Sequence, residues 1–440
     1  MKKIIALLFT LLPIFLLLSC SGGSPEAPDA QAPRRERGDV VTLNVYNWGE
    51  YISDGFEGSL DTNAAFEEYF NTHLSEKYGG ITVEVNYTTF ANNEEMYSKL
   101  KNSAVVYDIV VPSDYMIEKM IAEDMLLAFD VAADIPNYVY IDEAFRSSPY
   151  YDPTAQYTVP YTYGMMGIIY NTAMVDEADI GSWDLMWNDK YAGKILQFNN
   201  PRDAFATAMY LLGLDVNSND RDDWAAAYDK LLLQKPLVQG YVNDEVFNKM
   251  TSESAAIAPY YVGDFITMAD QEENLAFYYP KEGVNYFVDA MCIPKSSKNP
   301  DIAKEYMNFM LSEEAAIANA EYIGYASPNT LVYENEEYRE YMGEFAIDLL
   351  YGYSPDEVNA SYNAIYGKDA SCYHNFTPDI QSRVNTLWEN LKIADSTELW
   401  VHVTAGLIVA AVLALAIGTT YIKKKRSKFY RERDKKAKKS

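Results

Sequence analysis

The chain alternates short apolar runs with the two-residue period of a strand and longer runs with the period of a helix. Between residues 41 and 121 this alternation predicts strand, helix, strand, helix, strand and helix in turn. Ser113 precedes the last of these helices, and serine is a residue type that caps helix N-termini. A chain with this order of elements forms a doubly wound α/β fold with a parallel sheet. The predicted strands are 43–47, 81–87 and 107–111, and the predicted helices are 60–78, 93–100 and 114–121.

Residues 164–286 repeat the mixed pattern of strands and helices. Ligands of such sheets bind at the carboxyl ends of the strands. In the first part of the chain those ends are 47–51 and 112–115, which are aromatic and polar, unlike a protein core. We therefore expect a ligand site at these segments. The sequence contains no glycine-rich phosphate loop and no nucleophile elbow.

The charge of the chain is strongly acidic and unevenly placed. Its 440 residues, enough for two cores, carry a formal net charge of −28. Residues 423–440 contain eleven Lys or Arg against two acidic residues, a charge of +9, so the rest of the chain has −37. Such a body repels nucleic acid and suits a cationic ligand, although the same charge serves solubility.

Cysteine and histidine are scarce, with three of each in the chain. Their spacing predicts no metal centre, no cofactor and no His-based catalytic triad. We interpret Cys292 as a buried, unreactive thiol; a disulfide with Cys372 is the alternative.

The first 40 residues have the pattern of an export signal. A basic start, an apolar run over 4–18 and small residues before Cys20 predict a secretory signal over 1–20. Residues 17–20, LLSC, resemble a bacterial lipobox in which Cys20 is lipidated; the alternative is an ordinary signal peptide with an incidental cysteine. Residues 21–40, rich in Gly, Pro and charge, predict a flexible tether.

Residues 399–422 form an apolar run that is long enough to cross a bilayer. The basic residues at 423–426 follow at once, so the positive-inside rule places the 423–440 tail in the cytoplasm. The sequence thus predicts a transmembrane helix and a membrane-anchored body on the extracytoplasmic face of a bacterial cytoplasmic membrane.

Six segments in the body are similar to those of one known family, in order and in spacing. They are YNWGEY (46–51), MYSKL (96–100), YDIVVPS (107–113), YTVPY (157–161), YPKEG (279–283) and IGYASPN (323–329). From about residue 41 to 392 the chain resembles the spermidine/putrescine-binding periplasmic proteins of ABC importers.

The resemblance implies a type II periplasmic-binding-protein fold, with two α/β lobes, two crossings of the chain between them and a ligand cleft. Lobe one is then 41–162 plus 288–328, and lobe two 163–287 plus 329–395. It also implies a binding protein rather than an enzyme, which takes up a polyamine and delivers it to an ABC permease.

The resemblance further implies which side chains form the cleft. Asp289, at the second crossing, is the carboxylate that we expect to hold one terminal amine. At two places the sequence departs from the pattern of the family, which leaves the exact ligand open. Asn200 stands where spermidine-type members have an acidic residue, and Tyr261 and Phe287 replace larger indoles. The implied ligand-binding residues are Trp48, Tyr51, Ser113, Tyr115, Asn200, Asp203, Tyr261, Asp264, Phe287, Asp289 and Tyr325.

Several alternatives stay open. For Glu50 and Asp114 the sequence favours neither a position in the cleft nor one in a solvated loop. His374 is more consistent with a surface loop than with the cleft. Ferric-ion binding is a second function, for which Tyr260 and Tyr261 offer a pair of ligands. A membrane-anchored sensor, acting through a partner protein, is a third.

Overall fold

The computed structural model describes residues 35–102, 104–148, 150–368 and 370–393. The strands are β1 (Val40–Trp48), β2 (Thr82–Phe90), β3 (Ile109–Val110), β4 (Thr158–Asn171), β5 (Ile195–Phe198), β6 (Val238–Val242), β7 (Ile257–Tyr261), β8 (Leu275–Tyr278) and β9 (Tyr286–Cys292). The helices are α1 (Thr62–Tyr69), α2 (Asn93–Asn102), α3 (Asp114–Ala122), α4 (Val131–Asp134), α5 (Pro201–Leu212), α6 (Arg221–Gln234), α7 (Glu245–Thr251), α8 (Val262–Ala269), α9 (Pro300–Met310), α10 (Glu313–Ile323), α11 (Thr330–Tyr333), α12 (Glu336–Tyr351), α13 (Pro355–Val358), α14 (Ala360–Tyr366) and α15 (378–393). One-turn 3-10 helices lie at Phe56–Gly58, Ser75–Tyr78, Pro136–Tyr140, Glu143–Phe145, Glu177–Asp179, Trp183–Trp187, Asp189–Tyr191 and Lys235–Leu237, and a π turn at Phe70–Leu74.

The strands form one continuous sheet in the order β2-β1-β3-β9-β4-β7-β5-β6, with β8 also paired to β4. β1 is parallel to both β2 and β3, and β5 is parallel to both β6 and β7. Each half of the sheet is therefore a parallel α/β unit, and the predicted α/β class is confirmed.

The two halves of the sheet meet along β4. Over 158–165 this strand pairs antiparallel with β9, and over 166–171 it pairs antiparallel with β7 and β8. The sheet is thus mixed, because the strands that connect the two parallel units run against their neighbours. We keep the lobe boundaries given above as a proposal, which this division of the sheet supports.

The predicted helix 60–78 is interrupted. Asp61 caps its start by accepting a hydrogen bond from the Ala64 amide at 3.0 Å, and α1 then ends at Tyr69. In the π turn that follows, the Asn71 side chain exchanges hydrogen bonds with the backbone of Val83 in β2, at 2.7 and 3.1 Å. An asparagine that bonds to a neighbouring strand favours an irregular turn over a continuous α-helix.

Apolar side chains cover each half of the sheet. Around β5 and β7, Trp183, Phe205 and Trp224 are essentially inaccessible to solvent, and Phe66 and Tyr306 are equally buried beside β1. Packing of helices on both sheet halves holds the strand ends in fixed positions, which is what a binding site requires.

One part of the predicted fold class is corrected. We expected a transmembrane helix in addition to the α/β body, but no helix in the described ranges is long and apolar enough to cross a membrane. The segment predicted to span, 399–422, lies outside those ranges, as do the tail 423–440, the signal 1–20 with Cys20, and most of the tether. Cys292 and Cys372 are both buried, and no disulfide joins them.

Candidate functional site

A cleft opens where the parallel strands of both sheet halves end. It holds about 850 Å³ of empty space, including the part open to solvent. β3, β5 and β7 each lead at their carboxyl ends into a helix, α3, α5 and α8. The first turns of these helices carry Asp114, Asp203 and Asp264. The topology thus brings three carboxylates from distant parts of the chain to one space, as expected for the carboxyl ends of parallel strands.

Acidic side chains dominate the polar lining of the cleft. Among the lining residues that the structure describes, seven are acidic and none is Lys or Arg. Carboxylates that face one another repel, and because no Lys or Arg side chain is among these lining residues, the space attracts positive charge. The seven are Glu50, Glu94, Asp114, Asp203, Asp244, Asp264 and Asp289.

Asp289 lies at the centre of the cleft, on β9. Its backbone pairs with Thr162 of β4 on one side and forms a bridge with Ser113 on the other. The Tyr51 hydroxyl donates to Asp289 Oδ2 at 2.7 Å, whereas Asp289 Oδ1 is buried without a hydrogen-bond partner. Burial raises the pKa of Asp289 to about 6, although the Ser113 and Tyr51 hydroxyls work in the opposite direction. An unsatisfied buried carboxylate oxygen is costly to leave unpaired, so Oδ1 is available to a ligand donor.

Asp264 lies at another part of the cleft and contacts Tyr325. The Tyr325 hydroxyl donates to Asp264 Oδ2 at 2.7 Å. Burial raises the pKa of Asp264 to about 7, and the charges of Asp244 and Glu50 add to the rise. This carboxyl therefore changes its charge near neutral pH.

Three donors surround Asp203. The Tyr261 hydroxyl donates to Oδ2 at 2.6 Å, the Asn200 amide nitrogen to Oδ2 at 2.9 Å, and the Tyr373 hydroxyl to Oδ1 at 3.0 Å. Asn200 also caps α5, because its Oδ1 accepts from the Asp203 amide at 2.8 Å. Burial still raises the pKa of Asp203 above its ordinary value, against the effect of these donors.

Glu94 and Asp114 lie on the side of the cleft formed by α2 and α3. The Tyr115 hydroxyl donates to Glu94 Oε1 at 3.1 Å. The backbone amides of Tyr115 and Val288 donate to Asp114 at 2.7 and 3.3 Å. Desolvation raises the pKa of both carboxyls, that of Asp114 strongly.

Aromatic rings form most of the remaining wall. The ring of Tyr51 lies edge-on to that of Tyr325 with centroids 5.2 Å apart, and the ring of Tyr261 lies edge-on to that of Phe287 at 5.4 Å. Such rings offer flat apolar faces for methylene groups and negative π faces for cations. The aromatic lining residues are Trp48, Tyr51, Tyr115, Phe198, Phe247, Tyr260, Tyr261, Phe287, Tyr325 and Tyr373.

All eleven side chains that the sequence predicts for the site line this cleft: Trp48, Tyr51, Ser113, Tyr115, Asn200, Asp203, Tyr261, Asp264, Phe287, Asp289 and Tyr325. Their role in binding a ligand stays a prediction. Of the residues left open, Glu50 and Asp114 also line the cleft. His374 does not; its Nδ1 lies 3.5 Å from Glu118 Oε2.

Sequence reasoning did not identify several lining residues. Tyr373 enters from the loop before α15, which has no recognisable motif, and Glu94 lies in the first turn of α2, where an acidic residue usually has only a helix-stabilising role. Asp244 and Phe247 follow β6. Their position after the carboxyl end of a strand is the one signal that could have identified them.

The ferric-ion alternative gains no support from the geometry. Among the described residues no group of three or more His, Cys, Asp or Glu side chains could hold a metal ion. Burial raises the pKa of both Tyr260 and Tyr261 well above the ordinary tyrosine value, which disfavours the phenolate that binds iron. The Tyr261 hydroxyl is also already bonded to Asp203.

Comparisons with known proteins agree on one kind of relative. A family profile described as bacterial extracellular solute-binding protein matches residues 64–345. The chain is 31% identical over 293 residues to a spermidine/putrescine-binding periplasmic protein of Salmonella typhimurium, across 66% of this chain and 78% of the relative. It is 28% identical over 306 residues to the putrescine-binding periplasmic protein PotF of Escherichia coli, across 66% of this chain and 78% of that relative.

A solved structure of the same kind of protein is also similar to this chain. The spermidine/putrescine ABC transporter substrate-binding protein PotD from Streptococcus pneumoniae, in complex with calcium and HEPES, is 31% identical to this chain. It superposes with a TM-score of 0.58 over 80% of this chain and 98% of that one.

Proposed function

The chain belongs to the family of bacterial extracellular solute-binding proteins that includes the spermidine/putrescine-binding periplasmic proteins, and on this basis we propose that it is the substrate-binding protein of a polyamine ABC importer. Its ligand is a polyamine such as putrescine or spermidine, held in the cleft and passed to the permease. The family is one of receptors that bind solutes, so the activity is recognition and delivery, without a covalent step.

One observation carries the proposal: the cleft combines seven carboxylates with ten aromatic rings and contains no Lys or Arg among its described lining residues. A polyamine is a flexible alkyl chain with two or more ammonium groups. The aromatic rings match the alkyl chain and the carboxylates match the ammonium groups. Each cation–π contact contributes about 0.5–2 kcal/mol. Each charge-assisted hydrogen bond contributes about 1.5–3 kcal/mol. Several of each support micromolar or tighter binding after the cost of ordering the ligand.

Asp289 is the residue to which we assign the first ammonium group. Its Oδ1 is buried and unpaired, its Oδ2 is oriented by Tyr51, and its backbone is paired with Thr162 of β4. An ammonium donor at Oδ1 supplies the missing hydrogen bond and also favours the ionised carboxylate. Binding of the ligand and ionisation of Asp289 then reinforce each other.

The curated relatives reported above are periplasmic proteins, and we propose an extracytoplasmic location for this chain as well. Closure of the two sheet halves around the ligand would bury it, and a permease that recognises the closed form would receive only loaded protein.

Calorimetric titration tests the proposal. We would titrate the purified full chain, freed of carried-over ligand, with putrescine, cadaverine, spermidine and spermine, and with uncharged 1,4-butanediol as the ligand control. Asp289→Ala is the test variant, and Asp229→Ala, at an exposed acidic residue of α6 outside the cleft, is its matched control. Saturable binding of an amine that only Asp289→Ala loses is the expected result. Absence of binding by the folded wild-type protein for every amine would refute the polyamine assignment.

Asn200→Asp addresses which polyamine is preferred. Aspartate also caps helices well, so α5 should be retained. The change replaces the amide donor of Asp203 by a second carboxylate, and because two adjacent carboxylates repel, the added charge is expressed fully only when an ammonium group binds between them. We expect affinity to rise more for spermidine than for putrescine. An equal change for both amines would show that Asn200 does not select ligand charge.

A further inference from the structure

Arg202 is a buried cation directly behind the cleft wall. It is 3% exposed and occupies the first turn of α5, next to Asp203. Its Nη2 donates to Asn217 Oδ1 at 2.8 Å, but Nε and Nη1 are buried without a hydrogen-bond partner. Leaving two donors of a buried charge unpaired is costly, so this arginine calls for a role that its hydrogen bonds do not supply.

Three aromatic rings surround the guanidinium. Its Cζ lies 3.7 Å from the ring centroid of Phe376, 4.3 Å from that of Tyr373 and 5.5 Å from that of Tyr115. Tyr115 and Tyr373 are themselves edge-on to each other at 5.9 Å, and both line the cleft. The cation–π contacts therefore hold in place two rings that come from separate parts of the chain.

Each of these two tyrosines is bonded to a different cleft carboxylate. The Tyr373 hydroxyl donates to Asp203 Oδ1 at 3.0 Å, and the Tyr115 hydroxyl donates to Glu94 Oε1 at 3.1 Å. A positive charge on the face of a phenol ring withdraws electron density from the hydroxyl, which makes the hydroxyl a stronger donor. One guanidinium thus acts on two carboxylates through two rings, without entering the cleft.

The electrostatics of the two carboxyls agree with this geometry. Burial raises the pKa of Glu94 and Asp203, and Arg202 lowers both. The positive charge therefore favours the ionised form that binds a cation. Several titratable and charged groups act on these carboxyls. Lys119 and Tyr115 act on Glu94, and Tyr210, Tyr260, Tyr261 and Tyr373 act on Asp203. Arg202 acts on both carboxyls and also on Asp114, the two carboxyls act on each other, and Asp289 lies beyond Asp203.

We propose that Arg202 is a positioning residue of the binding site, which acts through Tyr115 and Tyr373 to orient Glu94 and Asp203 and to keep them anionic at neutral pH. The inference rests on the proposed binding of a polyamine. It goes beyond that proposal because Arg202 does not line the cleft and carries a positive charge, as a polyamine does.

The test compares Arg202→Met, which keeps a long apolar side chain against the rings, with Arg202→Lys, which keeps the charge. Arg221→Met, at an exposed arginine of α6, is the matched control. Putrescine and spermidine are titrated calorimetrically into each full-length variant at about pH 6.5 and about pH 8.5, because a carboxyl group with a raised pKa loses more of its charge at the lower of these two pH values. Each titration is repeated in two buffers of different ionisation enthalpy, which counts the protons released on binding.

Arg202→Met should weaken binding about tenfold at the lower pH and less than about threefold at the higher one. It should also release up to about one more proton per ligand at neutral pH than the wild-type protein does. Arg202→Lys should stay closer to wild type, and Arg221→Met should match it. Titration of Asp264 is common to all variants and cancels in the comparison, whereas Asp289 and Asp114 respond to the charges of Asp203 and Arg202 and form part of the measured difference.

Two results would overturn the inference while the proposed function stands. One is an Arg202→Met variant with wild-type affinity at both pH values. The other is an equal loss at both pH values without extra proton release, which is the behaviour of a purely structural residue. If Arg202→Met does not fold, Tyr373→Phe replaces it, because this change removes one of the two hydroxyl donors and should give the same pH-dependent loss to a smaller extent. Failure of the wild-type protein to bind any amine would refute the proposed function and this inference together.

Discussion

Replacing Asp289 by asparagine should stabilise the ligand-free protein and at the same time weaken ligand binding. Asparagine keeps an oxygen to accept the Tyr51 hydrogen bond but carries no charge into this site, which is 3% exposed. The pKa of Asp289 is about 6 in the folded protein and 3.8 in an ordinary environment. The folded state therefore binds this proton more tightly than the unfolded state does.

The sign of the effect follows from linkage. The stability that this group contributes is fully present below about pH 3.8 and is lost as the pH rises through about 6. Above about pH 7 the ionised carboxylate costs the folded state about 3 kcal/mol, which Asp289→Asn should recover. For a folded unit of this size the gain corresponds to a rise of about 4 °C in Tm. At about pH 4.5 the gain should shrink to about 1 kcal/mol.

Ligand binding should change in the opposite direction. Loss of one charge-assisted hydrogen bond, at about 1.5–3 kcal/mol, weakens binding by about ten- to more than a hundredfold. A thermal unfolding series with and without spermidine measures both effects in one experiment. The Tm of the wild-type protein should rise when ligand is added. The Tm of Asp289→Asn should be higher than that of the wild type without ligand and should rise little when ligand is added.

Asp108→Asn is the matched control for this experiment. Asp108 is equally buried, at 1% exposed, but it lies outside the cleft and accepts hydrogen bonds from the Asn299 amide at 3.0 Å and the Ser297 hydroxyl at 2.7 Å. Its replacement should lower Tm and leave the ligand-induced gain intact. A lower Tm for Asp289→Asn at about pH 7.5, or an undiminished ligand-induced gain, would refute the reasoning about the Asp289 charge.

Two further predictions concern the same cleft. Amine affinity should fall as the pH is lowered from about 8 to about 5, because Asp264 and Asp289, with pKa values of about 7 and about 6, lose their charges in this range. Calorimetry across this pH range measures the affinity, and a constant affinity would contradict the prediction. Gly263→Ala should weaken binding and cost about 1–3 kcal/mol of stability, because its Cβ would lie 2.2 Å from Tyr325 Cδ2 and displace that ring. Gly240→Ala, whose Cβ would meet no atom within 4 Å, is the control, and equal affinities and equal unfolding free energies for the two variants would contradict the packing argument.

The sequence alone was sufficient to predict the α/β class and most of the candidate site. Its periodicity placed strands and helices in alternation, and in such a fold the strand ends converge on one space. Trp48 ends β1, Ser113 follows β3 and Asp264 follows β7, so each lies at the carboxyl end of a strand, where the local pattern and the family resemblance predicted it. These residues could be predicted because their positions depend on short stretches of chain.

The tertiary structure decided what depends on distant contacts. The antiparallel course of β4 and β9 cannot be read from either strand alone, since strand direction in a sheet is set by the neighbour. Tyr373 reaches the cleft from a loop without a motif, and Arg202 acquires its proposed role only because this ring and Tyr115 lie on its two sides. Hydrogen bonds and cation–π contacts act over a few ångströms, whereas these residues are up to 258 positions apart in the chain, and only the folded structure brings them together.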